Sequence, residues 1–162
     1  MDYTAVIDQL AKNKNVIGNL LHGSPEAMYM WKQEPGKWSL LEIICHLCDE
    51  EQLDFRARVK HTLETPNEPM PAIDPPGWVT AHRYAEQPFE QKLNEFFHER
   101  EKSVQWLREL ENPQWLNAYR HPKFGEMTAK MFLSNWLAHD YLHIRQIMKL
   151  RFEYLKENSG ED

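Results

Sequence analysis

Residues 132–150, FLSNWLAHDYLHIRQIMKL, decide how the chain is read. Phe132, Trp136, His139, His143, Gln146 and Leu150 recur at spacings of 4, 3, 4, 3 and 4. An α-helix repeats about every 3.6 residues, so these positions form one stripe along a helix. The stripe is apolar at its ends and carries two imidazoles in its middle. Buried unpaired, such groups cost free energy. A divalent metal would satisfy both, and two His four apart on one helix face recur in zinc sites. The other reading is a pair of core histidines bonded to side chains, and spacing does not separate the two.

Working outward, three more helices precede this one. The first spans about residues 2–22, with Val6, Leu10, Ile17, Leu20 and Leu21 apolar, and Gly23-Ser24-Pro25 ends it. The second opens on Ser39-Leu40-Leu41-Glu42, a capping box, and runs to about Leu63. The third begins near Pro88 and runs to about Leu110, where Asn112-Pro113 stops it. The last runs from about Thr128 to Lys156. No alternating strand pattern is evident. The expectation is therefore an all-α fold, a four-helix bundle, with 162 residues in a single domain. Between helices two and three, residues 65–77 hold Pro66, Pro69, Pro71, Pro75 and Pro76, so a long Pro-rich loop joins them. That loop is long enough to cross over, and its stretch to Trp78 is a candidate cap on a pocket.

Charge and composition exclude several function classes. The net charge is −6 and no basic cluster occurs, which argues against nucleic acid as a partner. No stretch reaches the roughly 18–20 apolar residues of a membrane span. Residues 1–10 carry Asp2 and Asp8 and lack a basic-then-apolar leader pattern. A cytoplasmic protein acting on a small molecule is expected. Cys45 and Cys48 form a C-x-x-C without a second metal-binding pair or a βαβ context, so they read as small buried hydrophobes.

On the second helix, one stripe joins Leu40, Ile44, Leu47, Glu51 and Phe55; another joins Ile43, His46, Glu50, Leu53 and Ala57. The second could serve the interior or a homodimer interface. It also makes His46 a candidate third ligand, with Glu50 four residues on as a catalytic base or an orienting partner. Asp140 is a comparable candidate to orient an imidazole. Glu95 and His98 have the Glu-x-x-His spacing of a di-iron site, but lie opposite the stripe Leu93, Phe96, Phe97 and Val104, and should face water. Arg145 lies off the seam and is given no role.

Three stretches resemble the DinB-like proteins. WSLLEIICHLCDEE at 38–51 is similar to their second-helix signature, HPKFGEMT at 121–128 to the turn before their last helix, and HDYLHIRQI at 139–147 to their H-x-x-x-H segment. The resemblance implies a bundle with one divalent transition metal, often nickel or zinc, held by three histidines. The matching positions are His46, His139 and His143. Many members carry a further His beside the last ligand, then Arg-Gly-Gln; Leu142 and Ile144 stand in those surroundings here.

Three neutral imidazoles leave a metal its charge and an open position, a catalytic arrangement rather than a closed structural one. The expected activity is hydrolysis through metal-bound water. The alternatives are transfer of a low-molecular-weight thiol to an electrophile, and a non-catalytic binding protein that keeps the metal for stability.

Overall fold

The capping box at Ser39 forms as read. Ser39 Oγ accepts from the Glu42 amide at 3.3 Å, and Glu42 Oε2 accepts from the Ser39 amide at 2.8 Å. The computed structural model describes residues 2–160. Its elements are α1 (Tyr3–Leu21), a single turn α2 (Glu26–Tyr29), α3 (Leu40–Asp49), a π-helical segment (Glu50–Phe55) and α4 (Arg56–Glu64). Then come α5 (Pro75–Ala81), a 3-10 turn (Tyr84–Glu86), α6 (Phe89–Glu109), β1 (Ala118–His121), β2 (Gly125–Thr128) and α7 (Ala129–Asn158).

Four long units make the bundle: α1, the continuous α3–π–α4 rod, α6 and α7. Helix α1 packs on α6 and α7, and the rod packs on the same two. Chain neighbours α1 and the rod are therefore diagonal, and so are α6 and α7. This departs from up-and-down order, and the long loop permits it. Helices α1 and α6 approach closely at Gly18, where an added Cβ would lie 2.6 Å from Phe97 Cζ.

Two features differ from the sequence reading. The first is a small antiparallel hairpin, with Ala118 opposite Thr128 and His121 opposite Gly125. Each strand has four residues, too few for alternation to register. Its turn is closed by His121 Nδ1, which accepts from the amides of Lys123 and Phe124 at 3.0 and 3.1 Å.

The second is the π-helical segment inside the expected second helix. One extra residue per turn rotates the remainder of the rod about its axis. The stripe that begins Ile43, His46, Glu50 continues to buried Asp54, while Leu53 turns outward, 45% exposed. Most of that stripe is thus spent inside the bundle.

The apolar core falls into two clusters. One gathers Ile17, Leu21, Ile43, Leu47, Leu93, Phe96 and Ile147; the other gathers Leu10, Phe55, Val59, Val104, Leu133 and Trp136. Between them each long unit gives one member to a buried polar network: Asn13, Glu51, Arg100 and Asp140. Arg100 donates to Asp140 through Nη1 and Nη2, both at 2.7 Å, and through Nε to Glu51 at 2.9–3.0 Å. Asn13 donates to Asp140 at 3.1 Å and Trp136 Nε1 to Glu51 at 3.0 Å. Burial works against the Arg100 charge, but Glu51 and Asp140 outweigh it and hold its pKa above the ordinary range. This waist crosses the bundle at the level of the histidines.

Candidate metal centre

His46 projects from α3, and His139 and His143 from α7. Their Nε2 atoms converge. His139 Nε2 lies 3.2 Å from His46 Nε2 and 3.1 Å from His143 Nε2. The three ligating atoms all lie within 4.8 Å of one another. Nitrogens about 2.0–2.1 Å from a shared tetrahedral ion are separated by about 3.3 Å, which matches the two shorter separations.

Proton positions favour a cation over mutual hydrogen bonding. His143 Nδ1 donates to Gln146 Oε1 at 2.9 Å, so its Nε2 presents a lone pair. His139 Nε2 faces that lone pair and His46 Nε2 together, and one N–H does not serve both well. A positive ion among the three nitrogens satisfies all of them.

Electrostatics keep the imidazoles neutral. Burial, followed by the neighbouring His143, pushes His46 down to about 3. Burial, then His143, His46 and Arg100, push His139 down to about 2. Burial lowers His143 too, against the opposing effects of Gln146 and Asp140. Neutral imidazole is the form that ligates metals.

These shifts carry a pH dependence in the metal-free protein. An unfolded imidazole takes a proton near pH 6.5, while the folded ones resist it. Below that pH the unfolded state binds more protons, so stability falls on acidification, by about 1.4 kcal/mol per pH unit for each imidazole. The carboxyls of Glu50, Glu51 and Asp54 are raised by burial and act in the opposite sense. The imidazole share is read by comparison with His139→Gln. Between pH 7 and pH 5 the parent protein is expected to lose about 2 kcal/mol more stability than the variant, measured by denaturant unfolding after chelation. Equal losses would show that His139 is protonated in the folded state as easily as in the unfolded.

Glu50 is buried with its Oε1 3.9 Å from His46 Nδ1, a nitrogen that lacks a hydrogen-bond partner among the described residues. It therefore stands behind His46, on the side away from the converging nitrogens. Burial, and then the neighbouring Asp54 carboxyl, push Glu50 up to about 8.

Several candidates are placed elsewhere. Asp140 turns to Arg100 and Asn13 and holds no imidazole N–H. Trp78 stacks on His82 at 6.3 Å, and His82 Nδ1 lies 2.7 Å from Asp49 Oδ2. The aromatic walls of the site are instead Trp38, 4.7 Å from His46 and parallel to His143 at 6.5 Å, and Phe55, 5.0 Å from His139. Cys45 and Cys48 are free and buried, and burial pushes Cys45 up to about 12. His98 is exposed, and Glu95 engages Gln52 and Lys92. Arg145 is exposed on the outer side of α7.

Beside His139 opens a cleft of about 400 Å³, bounded by Asp54, Phe55, Arg58, Phe132, Asn135 and Leu142 among others. Sequence reasoning did not find Trp38, Phe55, Asp54 or Arg58. Trp38 precedes a cap, Phe55 reads only as a member of its helix's apolar stripe, and Asp54 and Arg58 lie within and beyond the π-helical segment.

The family model of the DinB superfamily matches residues 9–147. The chain belongs to the DinB superfamily. The superfamily resemblance read from the three motifs thus extends over most of the chain. Among solved structures the fold is similar to that of YfiT from Bacillus subtilis, a probable metal-dependent hydrolase with an unusual four-helix bundle topology. The TM-score is 0.82 at 17% sequence identity, over 94% of this chain and 87% of that one. No curated protein matches the chain. No helix among the described residues is long and apolar enough to cross a membrane.

Proposed function

We propose that this DinB-superfamily protein is a metal-dependent hydrolase of a small molecule, with one zinc or nickel ion held by His46, His139 and His143. The observation that carries the reading is the convergence of three neutral Nε2 atoms, from buried His46 and His143 and half-buried His139, beside an open cleft. The description of YfiT points the same way. A divalent ion at such a site supplies Lewis acidity, polarising a carbonyl and bringing the pKa of a water to about 7.

The chain's own groups do the rest. Gln146 fixes the His143 tautomer by accepting its Nδ1 proton. Glu50 faces His46 Nδ1 at 3.9 Å, from where a small side-chain rotation would let it accept that proton, and it shares a hydrogen bond with Asp54, which borders the cleft. Two carboxyls sharing a proton near neutral pH can take one from the cleft and return it to a leaving group. Trp38 and Phe55 screen the imidazoles from bulk water.

The test is a screen of esters and amides with zinc- and nickel-loaded protein. Turnover abolished by chelation, with helical content retained, supports the hydrolase. Turnover that appears only with an added thiol moves the assignment to thiol transfer. Unfolding on chelation without turnover on any substrate makes the metal structural. Glu50→Gln is expected to lower kcat by about 100-fold or more while retaining one equivalent of metal, because the three imidazole ligands remain and the amide keeps the carboxyl's shape. An unchanged kcat would remove Glu50 from the proton path.

A further inference from the structure

The cleft beside His139 carries information about the substrate that the histidines do not. Its lining is mostly apolar: Phe55, Met127, Phe132, Ala138 and Leu142. Arg58 is the cation among its described lining residues. The side chain is 20% exposed, which is enough for a ligand to reach and little enough for its charge to act in a partly dehydrated setting. Asp54 pairs with Arg58 through Nε, and the guanidinium carbon lies 5.5 Å from the Phe132 ring centroid. Neither Asp54 Oδ1 nor Arg58 Nε makes a directed hydrogen bond among the described residues, so the two contacts hold the guanidinium in place without fixing its plane. Its remaining edge has no hydrogen-bond partner among the described residues. A second cleft of about 250 Å³ begins on the other side of the same residue, mostly apolar through Leu53, Met70, Pro71 and Ile73 but bordered also by Lys60 and His61. Arg58 thus stands at the join of two mostly apolar hollows, one of which ends on His139.

We propose that Arg58 selects small molecules that carry a carboxylate on an apolar body, receiving the carboxylate on its open edge while the apolar part fills the cleft beside His139. A planar guanidinium edge offers two parallel N–H donors, the geometry that matches a carboxylate. Arg58 acts on specificity, and the inference takes the hydrolytic reading of the same site as its frame.

The test measures binding, apart from turnover. Metal-free and zinc-loaded protein are titrated by calorimetry with 4-phenylbutyrate and with its neutral counterpart 4-phenylbutanamide. The carboxylate is expected to bind at least tenfold more tightly than the amide in both forms. In Arg58→Met the preference should fall to within twofold. Arg58→Lys, which keeps the charge but loses the fork, should retain an intermediate preference, and it stands in should the methionine variant fail to fold. A preference that survives in Arg58→Met, or that appears only with zinc, places the carboxylate on the ion and overturns the proposal while leaving the metal site intact. Absence of a preference in the parent protein overturns it as well. Protein that takes up no zinc yet shows the Arg58-dependent preference retains this inference and removes the hydrolase.

Discussion

His143→Ala protein is expected to emerge from purification without stoichiometric metal, whereas the parent protein carries about one equivalent. Loss of an outer partner of a ligand, such as Gln146, costs roughly 10–100-fold in metal affinity. Loss of the ligand itself should cost at least the upper end of that range. Thermal melting converts the difference into a second readout. An ion at about 1,000 times its Kd stabilises the folded state by about 4 kcal/mol, and at 10 times its Kd by about 1.4 kcal/mol. For a domain of this size 1 kcal/mol moves the midpoint by about 2–4 °C. Zinc should therefore raise the midpoint of the parent protein by about 8–16 °C and that of His143→Ala by no more than about 3–6 °C. The comparison is made within each protein, with and without metal, so any cavity left by the alanine cancels. An equal shift in both proteins would place the ion elsewhere. Metal absent from the parent after loading with zinc and nickel would make the three histidines core packing.

The sequence reading reaches this site because the signal is periodic and local. His139 and His143 lie on a stripe whose spacing survives intact over one uninterrupted α-helix, α7. Ser39 and Glu42 announce the start of α3 through bonds confined to four residues. His46 lies off the strongest stripe of its helix, and the family resemblance is needed to bring it in. The π-helical segment has no such signature. Within it Glu51 reaches Arg100, 49 residues away on another helix, a contact that local periodicity does not register. Once the segment forms, Asp54 takes the inward position that uniform α-helical spacing gives to Leu53. Asp140 escapes correct assignment for the same reason. It follows His139 directly and precedes His143 by three residues, but its partners are Arg100 and Asn13, brought in by the diagonal arrangement of the bundle. The hairpin is missed because two four-residue strands leave periodicity nothing to measure.

Arg100→Met is expected to cause the largest loss of stability of any single change away from the histidines. Replacing a whole buried ion cluster by apolar groups is often neutral, but removing one partner strands the others. Here methionine leaves two carboxyls, Glu51 and Asp140, buried beside each other without their common cation. The cost should be about 3–5 kcal/mol. That corresponds to a midpoint lowered by roughly 6–20 °C. The sign of the pH dependence identifies the cause. In the variant both carboxyls are raised above their unfolded values, so the folded state binds more protons than the unfolded one, and stability is lost as pH rises. The deficit against the parent protein should therefore shrink from pH 7 to pH 5; the histidine contribution, present in both proteins, cancels. Adding Glu51→Gln and Asp140→Asn should recover most of the loss, because no buried charge remains. A deficit independent of pH would point to lost packing instead. The waist also meets the metal centre at two peptide bonds, Glu50–Glu51 and His139–Asp140. Arg100 therefore ties together the two helices that carry the ligands, and metal affinity should drop in Arg100→Met even at temperatures where the variant is fully folded. Recovery of stability in the triple variant without recovery of metal affinity would separate the two roles of the waist: neutral amides satisfy the interior, but the bidentate Arg100–Asp140 contact sets the height of His139 against His46.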